Sequence, residues 1–325
     1  MVLIGSAILV AFSAFLLIPG LGGFRTRTRW RRFRERIRQS ALHPAVPFDA
    51  VGPDGPLGPH RFIGRIEALQ GSDSLWIQGD HLSLQAQMSG AKIYLLPTEG
   101  VQPPNARALL EERLPEDQPR SLPWKRITSL QEGTRVYLDG FLERRGGVLR
   151  MYGSRDVPLL ALLHEGEDVV PRAVWAGRQK NEYWNPITPW ALLAGSLALF
   201  IMASAVFGIH RSSTTARYLL AAALAPVIPI LPPGLAFFLL YMSQWRRARF
   251  LRAERDLLGL IAFLRAGDAT EEMLGWGDDL PQDTVPLIRN CRRRARATES
   301  GAALSFVAGF AMNTALVLLI LDAVL

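Results

Sequence analysis

Apolar residues in this chain gather into runs, and the order of those runs lays out the molecule. Residues 2–19, VLIGSAILVAFSAFLLIP, carry no charge and number about 18, just enough to cross the hydrocarbon core of a bilayer as a helix. A second run covers 188–209, a third 218–245 and a fourth 301–325. No acidic or basic residue stands between Pro189 and Ile209 or between Tyr218 and Gln244. The pattern predicts four membrane-crossing helices. The third is unusual, because Pro226, Pro229, Pro232 and Pro233 punctuate it and Gly234 follows. Proline removes a backbone donor and breaks the helical ladder. This span is expected either to kink strongly or to divide into two half-helices meeting near 231–234.

Between the first and second runs the period changes from helical to two. In LWIQGDHLSLQAQM, Leu82, Leu84, Ala86 and Met88 share one side and Ser83, Gln85 and Gln87 the other, as a half-buried strand requires. RFIGRIEAL and KIYLLP are rich in strand formers. Further on, Val136 and Leu138 alternate with Arg135, Tyr137 and Asp139, and ERRGG predicts a hairpin turn before VLRMY. PLLALLHEGED reads as a last strand and NARALLEERL, 105–114, as a short helix. Several short strands and one helix over 61–172 predict a small barrel or folded sheet. Residues 39–60 are so dense in proline and glycine that a linker without helix or central strand is expected there.

Charge fixes the orientation. Phe24 to Arg38, FRTRTRWRRFRERIR, carries eight arginines against Glu35 alone. Arginine beside a span is held on the cytoplasmic side of a bacterial-type inner membrane. The first run has its positive charges behind it rather than ahead, which predicts an uncleaved anchor with its N-terminus outside. The segments flanking the spans on the proposed inner side hold 21 basic residues, against Arg211 and Arg217 on the outer side. Both termini are thus expected outside, with the β domain and the segment 246–299 in the cytoplasm. The chain is basic, with a net charge of +8, but residues 61–168 hold 13 Lys and Arg against 15 Asp and Glu. The basicity belongs to the membrane flanks, and anionic lipid explains it better than nucleic acid. The fold class expected is α+β, with four transmembrane helices and a cytoplasmic small β-barrel.

The spacing Leu130-x-x-Gly133-x-x-Val136-x-Leu138-x-Gly140 resembles the strand that opens many OB-fold barrels, a glycine-bearing strand that bends to serve both halves. The resemblance covers about a third of the domain. It implies an OB-like barrel and, through that family's habit of binding oligonucleotides on aromatic and basic faces, a nucleic-acid reading for Trp76, Tyr94, Tyr137, Phe141 and Tyr152. The near-neutral domain charge weighs against that reading, and fold alone does not decide function.

The candidate functional residues follow. Trp30, Phe33 and Ile37 share one face of the basic helix 24–38, with Arg25, Arg27, Arg29, Arg31, Arg32 and Arg34 around it, as an interfacial helix on anionic lipid would have. Trp184, Trp190 and Trp245 are placed as interfacial aromatics. Gly5, Ala7, Ala11 and Ala14, and likewise Ser305 and Gly309, offer small-residue surfaces for close helix contact, and Asn313 falls mid-membrane, where an amide seeks a partner on another helix. WRRARFLRAERDLLGLIAFLRAG reads as an amphipathic helix, and the acidic stretch from Asp268 to Asp283 lacks calcium-loop spacing. Cys291 is the single cysteine, so no intrachain disulfide forms. The five histidines lack ligand spacing, and neither a phosphate loop nor a G-x-S-x-G or H-E-x-x-H motif occurs. No catalytic, cofactor or metal residue is assigned. The expected function is that of a non-enzymatic membrane protein whose β domain binds a protein partner or joins an assembly, with self-association open. The alternatives are a tethered nucleic-acid binder, and a transporter or membrane enzyme built on the broken third span.

Overall fold

The computed structural model describes residues 2–47, 54–70, 73–104, 118–129, 132–178, 185–209, 213–267 and 280–324. The expected helix over 105–114 and the acidic residues 268–279 lie outside them. The chain divides into two compact units: Met1–Arg31, Gln179–Arg252 and Cys291–Leu325 in one, and Arg32–Arg178 with Ala253–Asn290 in the other.

The first unit is helical. Helix α1 spans Val2–Phe12 and, after a short π-helical stretch, α2 spans Ile18–Leu42, of which this unit holds the part to Arg31; α4 is Thr188–Ile209 and α5 Thr214–Ala223; α6, Gly234–Ala266, belongs to it up to Arg252 and α7, Thr284–Val324, from Cys291. Three helical stretches are long and apolar enough to cross a membrane: Val2–Leu42, Thr188–Ile209 and Thr284–Val324. Their outer faces are apolar, with Leu9 66%, Leu193 60% and Leu304 71% exposed, as a lipid-facing surface requires and a water-facing one does not. Small residues line the inner contacts: Ala7 and Ala203 are buried with Leu199 and Leu219, and a side chain at Gly195 would collide with Ala14. The expected third span is not one helix. It is the ten-residue α5, a 3₁₀ turn at Ile228–Ile230, and α6 beginning at Gly234, a division that follows the prolines.

The second unit is built on strands β1 (Gly55–Gln70), β2 (Ser74–Gln78), β3 (Ser83–Gln87), β4 (Lys92–Leu95), β5 (Arg120–Leu122), β6 (Arg135–Arg145), β7 (Val148–Tyr152) and β8 (Leu160–His164). Strands β1, β2 and β3 form an antiparallel meander, β3 pairs parallel with β7, β7 antiparallel with β6, and β6 antiparallel with β1. The result is a closed five-stranded barrel, which leaves its own strands no free edge. Strands β8, β4 and β5 extend the sheet from β6. Inside lie Leu75, Ile77, Leu84, Ala86, Val136, Leu138, Leu142 and Met151, all essentially inaccessible; the alternation read from the sequence supplies Leu84, Ala86, Val136 and Leu138 of this set. Helix α3, Val169–Ala176, follows β8.

Two boundaries and one strand assignment differ from the sequence reading. Helix α2 runs on to Leu42 and β1 begins at Gly55, so the expected linker is shorter. Pro56 and Pro59 are accommodated because this part of β1 has only β6 beside it among the named strands and is bulged between Pro56 and Gly58. The strand that opens the barrel is β1, not the stretch around Gly133 and Gly140: Gly133 lies in the turn before β6 and Gly140 within β6, the fourth strand in chain order within the ring. It is β1 that passes from β6 to β2, near Gly64, where a side chain would meet the Gln78 carbonyl.

Candidate functional site

The arginine run divides into two environments. Arg25, Arg27, Arg29, Arg31 and Arg32 are exposed. From residue 33 onward the same helix turns inward: Phe33 and Arg34 are buried, and Ile37 and Ala41 are inaccessible. Trp30 is buried as well. The face shared by Trp30, Phe33 and Ile37 thus forms as a helix face, and Phe33 packs edge-on against Tyr94 with ring centroids 4.7 Å apart.

Two buried carboxylates hold this second half. Asp139 on β6 is wholly inaccessible and meets the Arg36 guanidinium through one oxygen and His43 Nδ1 through the other. Beside it the Tyr137 hydroxyl donates to Ser40 Oγ at 3.0 Å, and Ser40 Oγ donates to the Ile37 carbonyl at 2.8 Å. Burial pushes the Tyr137 hydroxyl well above the usual phenol range, so it stays protonated. Arg61 on β1 donates to the Ala41 carbonyl at 3.2 Å near the helix end, where the last carbonyls lack helical partners. In strand alternation Tyr137 and Asp139 occupy the water-facing side of β6. They are buried because the end of α2 covers that side.

Asp256 on α6 is the second anchor. Arg178 donates from Nε to its Oδ2 at 2.7 Å, Arg255 from Nη2 to its Oδ1 at 2.7 Å, and Arg34 approaches at 3.4 Å. Arg38 donates to the Asp256 backbone carbonyl at 3.0 Å and stands 3.9 Å from its carboxylate. Arg34 also donates to the Gly177 carbonyl at the end of α3, at 2.8 Å. Burial alone would raise the Asp256 pKa, but the Arg178, Arg255 and Arg34 charges outweigh it and hold the carboxyl below its usual range. Removing one partner of such a buried pair typically costs about 3–5 kcal/mol, because the other charge is stranded. Neither carboxylate is marked in the sequence as a partner of the basic run. The available signal was Asp256 beside the apolar stripe of its helix.

The broken span has its own anchor. Asn313 on α7, 1% exposed, donates from Nδ2 to the Ile228 carbonyl at 2.7 Å and the Leu231 carbonyl at 2.5 Å, and its Oδ1 accepts from the Gly234 amide at 3.0 Å. One amide therefore meets three backbone groups released by the break, as an apolar surround demands. A side chain on Gly234 would strike the Asn313 amide, and one on Gly309 would strike Phe237. Ser305 is buried and donates to the Gly301 carbonyl on its own helix at 2.9 Å. Pro229 is buried, Pro226 half-buried, and Pro232 and Pro233 exposed. Trp190 is exposed, Trp245 is half-buried and stacks on Tyr241, and Trp184 lies outside the described residues.

Of the aromatics named for the barrel, Tyr94 and Tyr137 are buried, while Phe141 and Tyr152 are half-exposed neighbours with ring centroids 6.1 Å apart. The strand register sets Trp76, Gln85, Arg150 and Glu143 side by side on β2, β3, β7 and β6, on the outward side of the barrel. His164 is buried at the end of β8, with Nδ1 2.5 Å from the Gly166 carbonyl, and burial lowers its pKa to about 4. Among the described residues no group of three or more His, Cys, Asp or Glu is arranged to hold a metal ion. No family model, curated protein or solved structure matches this chain.

Proposed function

We propose that this chain is a multi-span inner-membrane protein that holds an OB-like barrel on the cytoplasmic side and offers the barrel's outward face to a protein partner or assembly. The observation that carries the reading is the pair of buried carboxylates, Asp139 and Asp256, that fasten the end of the arginine helix within the barrel unit. A barrel braced in this way is suited to presenting a fixed surface. The OB-like assignment is supported by the ring of strands and by the long β1 that serves two partners. In this reading α5 and α6 together make a fourth crossing, and the exposed arginines from Arg25 to Arg32 rest on anionic lipid. The row of Trp76, Gln85, Arg150 and Glu143, with Phe141 and Tyr152 beside it, is the docking face, mixed in polarity as interface rims are.

A transport role at the proline break is disfavoured by Asn313, whose amide already occupies the freed backbone groups there. The test is affinity capture of the intact protein in mild detergent followed by mass spectrometry, repeated with Trp76→Ala and Tyr152→Ala together. A stoichiometric set of membrane proteins that disappears with the double substitution supports the proposal. Nuclease-sensitive recovery of nucleic-acid-binding proteins, or a partner set indifferent to the substitutions, overturns it.

A further inference from the structure

Four guanidiniums converge on Asp256, and their roles are unequal. Arg34 and Arg178 are buried and held by other groups as well or by short contacts. Arg38 and Arg255 lie at the rim, with about a quarter of each side chain open to solvent. Among the described residues the carboxylate that either of these two reaches is that of Asp256, and both approach the same oxygen, Oδ1. Arg38 Nε is buried and has no acceptor among them. Arg38 lies against α6 beside Gly259, whose added Cβ would stand in ordinary contact, 3.4 Å, from its Nη2. Guanidiniums brought this close repel one another unless an anion sits among them, and a single carboxylate oxygen shared between two leaves donor capacity unused. Paired guanidiniums, a quarter open and with spare donors, suit a phosphate group, whose several oxygens accept planar forks of N–H bonds.

We propose that Arg38 and Arg255, backed by Arg34 and Arg178, form a binding site for a phosphate group, carried either by a soluble phosphate compound or by a lipid headgroup. The site lies wholly within the barrel unit and does not depend on the docking reading. Charge alone does not define it, since Arg31 and Arg32 on the same helix are exposed and serve as its internal control.

The experiment uses the full chain in phosphatidylcholine nanodiscs, with thermal unfolding followed against inorganic phosphate and against chloride at equal ionic strength. A second arm adds phosphatidylglycerol and counts retained lipid by native mass spectrometry. Site binding raises the unfolding midpoint by about 4 °C at saturating phosphate. Arg38→Gln with Arg255→Gln abolishes that rise, and Arg31→Gln with Arg32→Gln leaves it intact. Arg38→Gln alone is the fallback if the double variant does not fold, and it reduces the response. A phosphate-specific shift identifies a soluble ligand, and retention of phosphatidylglycerol that depends on Arg38 and Arg255 identifies a headgroup; either supports the site. An equal response to chloride with no such lipid retention overturns it, and so does a phosphate-induced rise in the unfolding midpoint that survives loss of Arg38 and Arg255 or falls equally with Arg31 and Arg32.

Discussion

Arg31 and Arg32 differ from Arg34, Arg36 and Arg38 by a turn of one helix, yet they belong to different chemistry. The first pair is exposed to solvent, while the second group reaches buried carboxylates on β6 and α6. Composition treats all of them as one basic block beside a membrane span. What separates them is their partners, and those lie far away in sequence: Asp139 about a hundred residues on, Asp256 more than two hundred. The lesson is that a charge run is a mixture, in which some members serve the surface and others lock the fold.

Removing a buried anchor should have the largest effect. Asp139→Ala strands the Arg36 and His43 groups inside the barrel unit and is expected to destabilise it by about 3–5 kcal/mol in denaturant unfolding of the detergent-solubilised chain. A loss below about 1 kcal/mol would place Asp139 with the surface charges.

The next largest effect is a pH dependence. His164 has a folded-state pKa of about 4 against an ordinary value of 6.5, so below pH 6.5 the unfolded chain takes up a proton that the folded chain refuses. Stability contributed by neutral His164 is full above pH 6.5 and falls as the pH drops toward 4, by about 3 kcal/mol in all. His164→Leu should flatten this slope. Asp256 acts in the same direction at lower pH: its carboxyl is depressed below 3.8, so its contribution is present above that value and lost beneath it. Unfolding midpoints measured from pH 7 to pH 3 in both proteins check the assignment, and an unchanged slope in His164→Leu would remove His164 from it.

In the helical unit, Asn313→Ala leaves the Ile228 and Leu231 carbonyls and the Gly234 amide unmet, at a cost of about 1–3 kcal/mol. Proteolysis of the chain in nanodiscs should then cut near residues 228–234, where the parent chain resists. The smallest effect on folding is expected from Arg31→Gln with Arg32→Gln. Stability should stay within about 0.5 kcal/mol, while retention of anionic lipid by the chain in nanodiscs weakens by about 1 kcal/mol per charge removed where these residues face lipid headgroups. Equal destabilisation by this pair and by Asp139→Ala would erase the contrast between the two halves of the helix.

Much of the barrel was legible. Strand β3 announced itself through Leu84, Ala86 and Met88, and the β6–β7 hairpin through its paired glycines, because one face of each strand is buried and period two is then written into the side chains. Strand β1 was legible only from Arg61 onward, since Pro56 and Pro59 read as breakers until a bulge and a missing neighbour make room for them. The proline break in the third apolar run was visible, and its closure by Asn313 followed the general rule for amides in lipid, though not the choice of partner. The carboxylate anchors were invisible for a physical reason. Asp139 sits at a water-facing position of its strand, and only the arrival of α2 makes that position interior. Local pattern records the face a residue points to, not what later covers it.

Arg36 and Asp139 form a structural clasp, and a double-mutant cycle measures it. Urea unfolding of the full chain in detergent, followed by its β-sheet circular dichroism, would be measured for Arg36→Gln, Asp139→Asn and the two combined. The clasp predicts a coupling of about 1–3 kcal/mol, with the double variant far less damaged than the sum of the single ones. Losses that add to within about 0.3 kcal/mol would mean that the two groups do not sense each other, and would contradict the account.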